Sequence, residues 1–281
     1  MHPAPSLILF STLAGLGFGC LALLGLRAPG GLAALAWFAL AFALAGGGLV
    51  ASTFHLRRPS RAPLAFSQWR TSWLSREAIL AVGALLVMGA FAALRVAGMA
   101  AAPLGWLGAA LSVGTVLATA MIYAQMRTVP RWRHWTTPAL FLALSLGGGA
   151  AVLGPRWLAG ALLAGGAVLQ VLNWRHGAHA FRRLGSTAAT ATGLKGAVRS
   201  LSPPHTGPSY LTREMMFVVA RRRAEQLRLL TLLLGFALPL ALLPTPFWPL
   251  AAPAHILGVL CSRWLFLAEA EHVVGLYYGA R

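Results

Sequence analysis

Two residues offer the clearest chemistry: His55, at the end of one long apolar run, and Glu77, at the start of the next. An imidazole titrates near neutral pH and both donates and accepts hydrogen bonds. Those properties suit holding a quinone carbonyl and moving a proton. A carboxylate at the membrane edge of an apolar helix is costly, and such residues mark functional paths. Both also have plainer readings. An interfacial histidine can be a polar tip among headgroups. Ser75-Arg76-Glu77 reads as a helix start, with Ser75 as N-cap and Glu77 complementing the helix dipole from the first turn. Placed across one loop from each other, His55 and Glu77 can exchange protons with a lipid-soluble redox carrier where hydrocarbon gives way to water. Arg57, Arg58, Arg61, Arg70 and Arg76 lie in the same stretch and can hold a partner protein over that point.

The elements that position this junction are apolar spans. The chain is 281 residues long, 58% hydrophobic and only 10% charged, against about 25% charged in a soluble domain. It therefore reads as an all-α integral membrane protein. A spanning helix needs about 20 apolar residues. By that measure eight spans are expected, at 6–26, 31–54, 77–97, 103–126, 137–154, 157–175, 227–245 and 251–273. The first run lacks a basic leader and reads as a span rather than a cleaved signal. Gly46, Gly47 and Gly48 suit close helix packing in lipid.

Lys and Arg outnumber Asp and Glu by 23 to 5. That excess could suggest nucleic acid, but the basic residues sit in loops between apolar runs, where membrane topology explains them. Segment 55–76 holds five of them, 127–136 three and 175–226 nine, while the intervening loops hold one or none. By the positive-inside rule these basic segments and both termini are expected in the cytoplasm. Residues 176–212 are expected to form a long cytoplasmic loop, since Ser202-Pro203-Pro204-His205-Thr206-Gly207-Pro208 is dense in turn residues. Trp73-Leu74-Ser75-Arg76-Glu77 is echoed by Tyr210-Leu211-Thr212-Arg213-Glu214. The echo suggests one membrane domain built of two four-helix halves, 1–126 and 137–281.

Other chemistries find little support. Cys20 and Cys261 lie inside apolar runs without a CxxC, which implies neither an iron–sulfur site nor a disulfide framework. The histidines sit mostly in loops or at span ends; only His255 and His272 fall in a span, and it is the same one. That pattern argues against a dihaem cytochrome and leaves a single haem open. Arg263, Glu269, Glu271 and His272 cluster near the last span, where ion pairing or snorkelling is expected and a proton path is the alternative. The chain has no Asp and no phosphate-binding or hydrolytic motif.

Three blocks carry a family resemblance: Ser-Thr-Phe-His-Leu-Arg-Arg-Pro at 52–59, Phe-Ser-Gln-Trp-Arg-Thr-Ser-Trp-Leu-Ser-Arg-Glu at 66–77, and Ser-Pro-Pro-His-Thr-Gly-Pro-Ser-Tyr-Leu at 202–211. With the His-Pro start and eight spans, the chain resembles the membrane anchor (C) subunits of dimethyl sulfoxide reductase-type molybdoenzymes, and most of all the sulfite dehydrogenase (quinone) type. The resemblance implies a quinone site at His55 and Glu77, to which Arg58 and Trp73 are added, with Arg57, Arg61, Arg70 and Arg76 for partner docking. It implies ubiquinone or menaquinone as carrier and no haem or metal in this chain. It also implies an iron–sulfur partner on the cytoplasmic face and a molybdopterin catalytic subunit beyond it. The expected function is transfer of electrons from cytoplasmic sulfite oxidation to the quinone pool at a bacterial inner membrane. The alternatives are a quinol-oxidising anchor for S- or N-oxide reduction and a small-anion transporter.

Overall fold

The computed structural model describes residues 3–54, 59–199, 201–202 and 220–278. All regular structure among them is helical: α1 (Pro5–Leu26), α2 (Leu32–Thr53), α3 (Trp73–Val96), α4 (Ala102–Ala124), α5 (Thr136–Leu153), α6 (Arg156–Leu184), a short α7 (Ala188–Thr192), α8 (Ala220–Leu232), α9 (Leu238–Leu242) and α10 (Ala251–Ala268). A π-turn, Leu233–Ala237, joins α8 to α9 without breaking the rod. Eight helical stretches are long and apolar enough to cross a membrane, the seventh being Arg223–Leu242. Helices satisfy every backbone donor internally, which hydrocarbon demands. The chain is a multi-pass, all-α membrane bundle.

α1 is the central post. Its apolar window is 72% buried, against 22% for α3 and 28% for α2 and α6. It packs on α2, α4, α5 and α10. Small residues allow that centrality. A Cβ on Gly17 would fall 2.2 Å from the backbone N of Ala45 in α2, and one on Gly19 would fall 2.0 Å from the carbonyl O of Ser145 in α5. Of the three glycines expected to pack closely, only Gly48 does so, with Ala14 backbone 2.3 Å from its notional Cβ; Gly46 and Gly47 face open space. The run lies on a helix, so one residue in it points inward and its neighbours point elsewhere.

The expected spans are recovered with shifted ends. α3 begins at Trp73, four residues before Glu77. Ser72 therefore holds the N-cap position, Ser75 is buried in the first turn, and no acid lies in that turn. α6 runs to Leu184, nine residues past the expected end, and stops at Gly185 with φ +65°. Its last turn carries Arg182 and Arg183, basic residues that complement a helix C-terminus. The first part of the expected 176–212 loop is thus helix. α10 ends at Ala268, which leaves His272 outside the span.

The connections fall at two ends. At the end rich in Arg, called here the basic end, Trp132 anchors the α4–α5 connection. Its ring stacks on Phe266 at 5.2 Å and its Nε1 donates to the Phe266 carbonyl at 2.9 Å. Tyr123 meets both rings edge-on and Phe141 closes the cluster. At the opposite end Arg95 donates to the carbonyls of Ala28 and Met99, tying the α1–α2 and α3–α4 loops together.

Candidate functional site

Glu77 is buried inside the bundle, one turn in from the basic end of α3, at 5% exposure. The carboxyl points away from the lipid face into a small cavity. Phe10, Ser11, Ala14, Gly15 and Phe18 of α1 form one wall, Val116 and Thr119 of α4 a second, and Phe141 and Ser145 of α5 a third. The space open to a water's centre is about 10 Å³, room for about one water and none for an aromatic ring. Gly15 belongs to the design: a Cβ there would press on the Ser145 hydroxyl at 2.8 Å.

Among the described residues one hydrogen bond holds the carboxyl, between Oε1 and Thr119 Oγ1. Thr119 Oγ1 also lies 3.0 Å from the carbonyl O of Thr115. A hydroxyl has one hydrogen and two lone pairs. With Glu77 ionised, Thr119 donates to the carboxylate. With Glu77 protonated, the acid donates to Thr119, which turns its hydrogen to the Thr115 carbonyl. One rotating hydroxyl therefore serves both protonation states. That is a fitting arrangement for a group that gives and takes a proton.

The surface around α3 is less uniform than its charge suggests. Arg76 Nε donates to the Trp69 carbonyl at 2.9 Å and a terminal nitrogen donates to the Arg70 carbonyl at 2.7 Å. The Arg76 guanidinium also covers the half-buried Trp73 ring at 4.4 Å. Arg76 and Trp73 thus clamp the loop that enters α3. Arg70 is exposed, with its guanidinium 5.3 Å from the Trp69 ring centre. His55, Arg57 and Arg58 lie outside the described residues, as does the second pentad, 210–214. Arg61 falls in the 3-10 turn Pro59–Phe66 that leads toward α3.

The acidic and basic residues near the last span behave in two ways. Glu269 pairs with Arg131 at 2.8 Å and with Arg228, joining the α4–α5 loop, α8 and the end of α10. Burial pushes the Arg131 guanidinium below its ordinary value, and the Glu269 carboxylate opposes that shift. Arg263 has no such pair among the described residues. It lies 2% exposed in α10 over the face of Phe141, at 3.4 Å. Two histidines expected in loops also prove to be in a helix, His176 and His179 of α6. His176 stacks flat on His134 at 3.8 Å, a geometry in which the two rings cannot bind opposite faces of one haem.

Sequence reasoning missed Thr119, Ser11 and Ser145. Their only signal is a hydroxyl in an apolar run, which is common in membrane helices. The Thr115–Thr119 spacing places both on one face of α4, but nothing in the sequence says which face meets Glu77.

The fold is an integral membrane bundle with a buried carboxyl at its basic end. Residues 2–161 match the family described as DMSO reductase anchor subunit (DmsC). The chain is also similar to the (C) subunit of the sulfite dehydrogenase of Allochromatium vinosum, 32% identical over 329 aligned positions that cover 99% of each chain. The chain belongs to the DMSO reductase anchor subunit family. No solved structure matches it.

Proposed function

We propose that this chain is the quinone-reactive anchor of a three-subunit molybdopterin and iron–sulfur oxidoreductase, carrying electrons from cytoplasmic sulfite oxidation to the quinone pool. The observation that carries the reading is the carboxyl of Glu77, buried one turn inside a membrane helix on a single rotating hydroxyl. The likeness to a sulfite dehydrogenase subunit supports the substrate. The arginines of 55–76 support the side, since such segments stay in the cytoplasm and the partner would dock where they lie.

The proton and electron balance is simple. On the partner, sulfite and water give sulfate, two protons and two electrons. The electrons reach a quinone near the basic ends of α2 and α3, which takes up two protons to become quinol. His55 hydrogen-bonds one quinone oxygen and supplies a proton. Glu77 delivers a proton from behind and regains one from the cytoplasm. Its cavity is too small for the quinone ring, so Glu77 suits a relay better than a ring contact. Arg58 and Trp73 border the ring, and Arg57, Arg61 and Arg70 face the iron–sulfur partner. Arg76, already spent on the loop, contributes to docking through the shape it holds. Substrate oxidation and quinone protonation both lie on the cytoplasmic side, so no net proton translocation results.

The family description favours a second reading, quinol oxidation for S- or N-oxide reduction. An anion transporter has no comparable support, since each described span is long enough to cross a membrane and the seventh continues through its π-turn as one rod. The deciding experiment purifies the complex by a tag on this chain. Sulfite-dependent quinone reduction is expected. Dimethyl sulfoxide-dependent quinol oxidation in its place would reverse the direction. His55→Ala should abolish quinone-linked turnover in an assembled complex, and normal turnover there would remove the site.

A further inference from the structure

Arg263 is a cation deep in the bundle, and its Nε and Nη1 find no hydrogen-bond partner among the described residues. Thr12 Oγ1 is in the same condition. Both line one cavity with Ser11, Ser145 and His255, again with about 10 Å³ open to a water's centre. Buried polar atoms in native proteins almost always have partners, and an isolated buried charge is expensive. His255 does not meet the need, because its ring nitrogens already face the carbonyls of Gly235 at 2.6 Å and Leu144 at 3.0 Å. Glu269 is committed to Arg131 and Arg228.

Among the described residues, a buried carboxyl lies across two shared hydroxyls from this cavity. Ser11 and Ser145 line both this cavity and that of Glu77, the buried carboxyl among the described residues. Phe141 lies between the two groups, carrying Arg263 on its face and lining the Glu77 cavity. The two charges make no direct ion pair. Each cavity has hydroxyls in its lining and is the size of one water. Tyr123 of α4 packs on Phe141 and its phenol interacts electrostatically with both Glu77 and Arg263, while α1 and α5 bring hydroxyls rather than charges.

We propose that these adjoining cavities form a hydration site, one ordered water in each, which links Glu77 to Arg263 through Ser11 and Ser145 and makes Arg263 the counter-charge of the carboxyl. Arg263 is then a positioning residue, acting on Glu77 across two waters. The link does not depend on quinone binding. Its use does rest on the proposed function: it would hold the carboxylate left when Glu77 gives up its proton.

The test uses the intact complex with Glu77→Gln, Arg263→Met, Arg263→Lys and the Glu77→Gln/Arg263→Met pair. Each single removal strands a buried group. The pair should therefore melt closer to the parent than the summed losses, by about 2–4 °C or more. Additive losses would overturn the link. Infrared spectra give the second readout. The Glu77 carboxyl band, identified by its loss in Glu77→Gln, should move in Arg263→Met and return in Arg263→Lys. Water bands sensitive to oxygen-18 should vanish with either charge. A carboxyl band indifferent to Arg263→Met would sink the proposal, and so would the lack of an isotope-sensitive water band in the parent that Glu77→Gln removes, a readout that stands even if Arg263→Met fails to assemble. Neither readout needs quinone. Failure of the quinone site would show instead as normal turnover in Glu77→Gln.

Discussion

At the scale of single residues, the proposed function makes Glu77 and Thr119, joined by a hydrogen bond, act as a unit. Glu77→Gln should lower quinone-linked turnover by about 100-fold or more, the usual worth of a positioned acid or base, with assembly intact. Thr119→Val removes the hydroxyl that follows the proton and should lower turnover by about 10-fold or more, while Thr119→Ser should retain it. Both are read as sulfite-dependent quinone reduction against subunit stoichiometry. His134 offers a pH test. Its Nδ1 lies 2.9 Å from Thr136 Oγ1, which also receives Asn173 Nδ2 at 3.1 Å. Burial, then the charge of Arg183, holds the His134 imidazole below its ordinary value. A base with a lowered folded value takes up its proton preferentially when unfolded. Its contribution to stability is therefore full above about pH 6.5 and is lost as pH falls through the folded value. Thermal melting of the parent should drop more between pH 7 and 5 than that of His134→Asn.

At the scale of elements, close approaches decide what the sequence can change. A Cβ on Gly258 of α10 would sit 2.0 Å from the backbone N of Gly235 in the π-turn. Gly258→Ala should cost about 1–3 kcal/mol or more, as overpacking does, whereas Gly47→Ala should be nearly neutral. Melting of the purified complex compares them. The existence of each span is plain in the sequence because unbroken apolar runs leave little choice. The span ends are not. The helix rule that makes Ser75 a cap assumes that the apolar run and the helix begin together, yet α3 starts at Trp73 in the polar lead-in. α6 likewise continues through His176 and His179, because the Arg, Ala and Leu residues around them are good helix formers whether or not they lie in hydrocarbon. Glu77 is legible as a costly residue. Its partners are not, since pairing across helices depends on rotation about each axis.

At the scale of the whole molecule, charge is unevenly shared between the two ends, and that asymmetry predicts topology. With cysteine introduced at exposed loop positions, Ser67→Cys should react with an impermeant thiol reagent only from the cytoplasmic side, and Ala100→Cys only from the other. The reverse pattern would place the partner subunits outside the cytoplasm and favour quinol oxidation. The Glu269 network belongs to this scale too, because it ties the α4–α5 loop to two distant helices at one end. Glu269→Gln leaves Arg131 and Arg228 facing each other. It should destabilise the complex by about 1–3 kcal/mol, less than a fully buried pair because Arg228 is partly exposed.

The burial of α1 carries a consequence for biogenesis. Within this chain α1 is translated before every helix it packs against, yet it is the most enclosed span. Until α4, α5 and α10 arrive, its glycine-lined grooves and its Ser11 and Thr12 hydroxyls have only lipid, or an insertion factor, for company. Order of synthesis and order of packing therefore run opposite ways. The nascent bundle must stay loose around its own first helix and close late, when α10 brings the last wall.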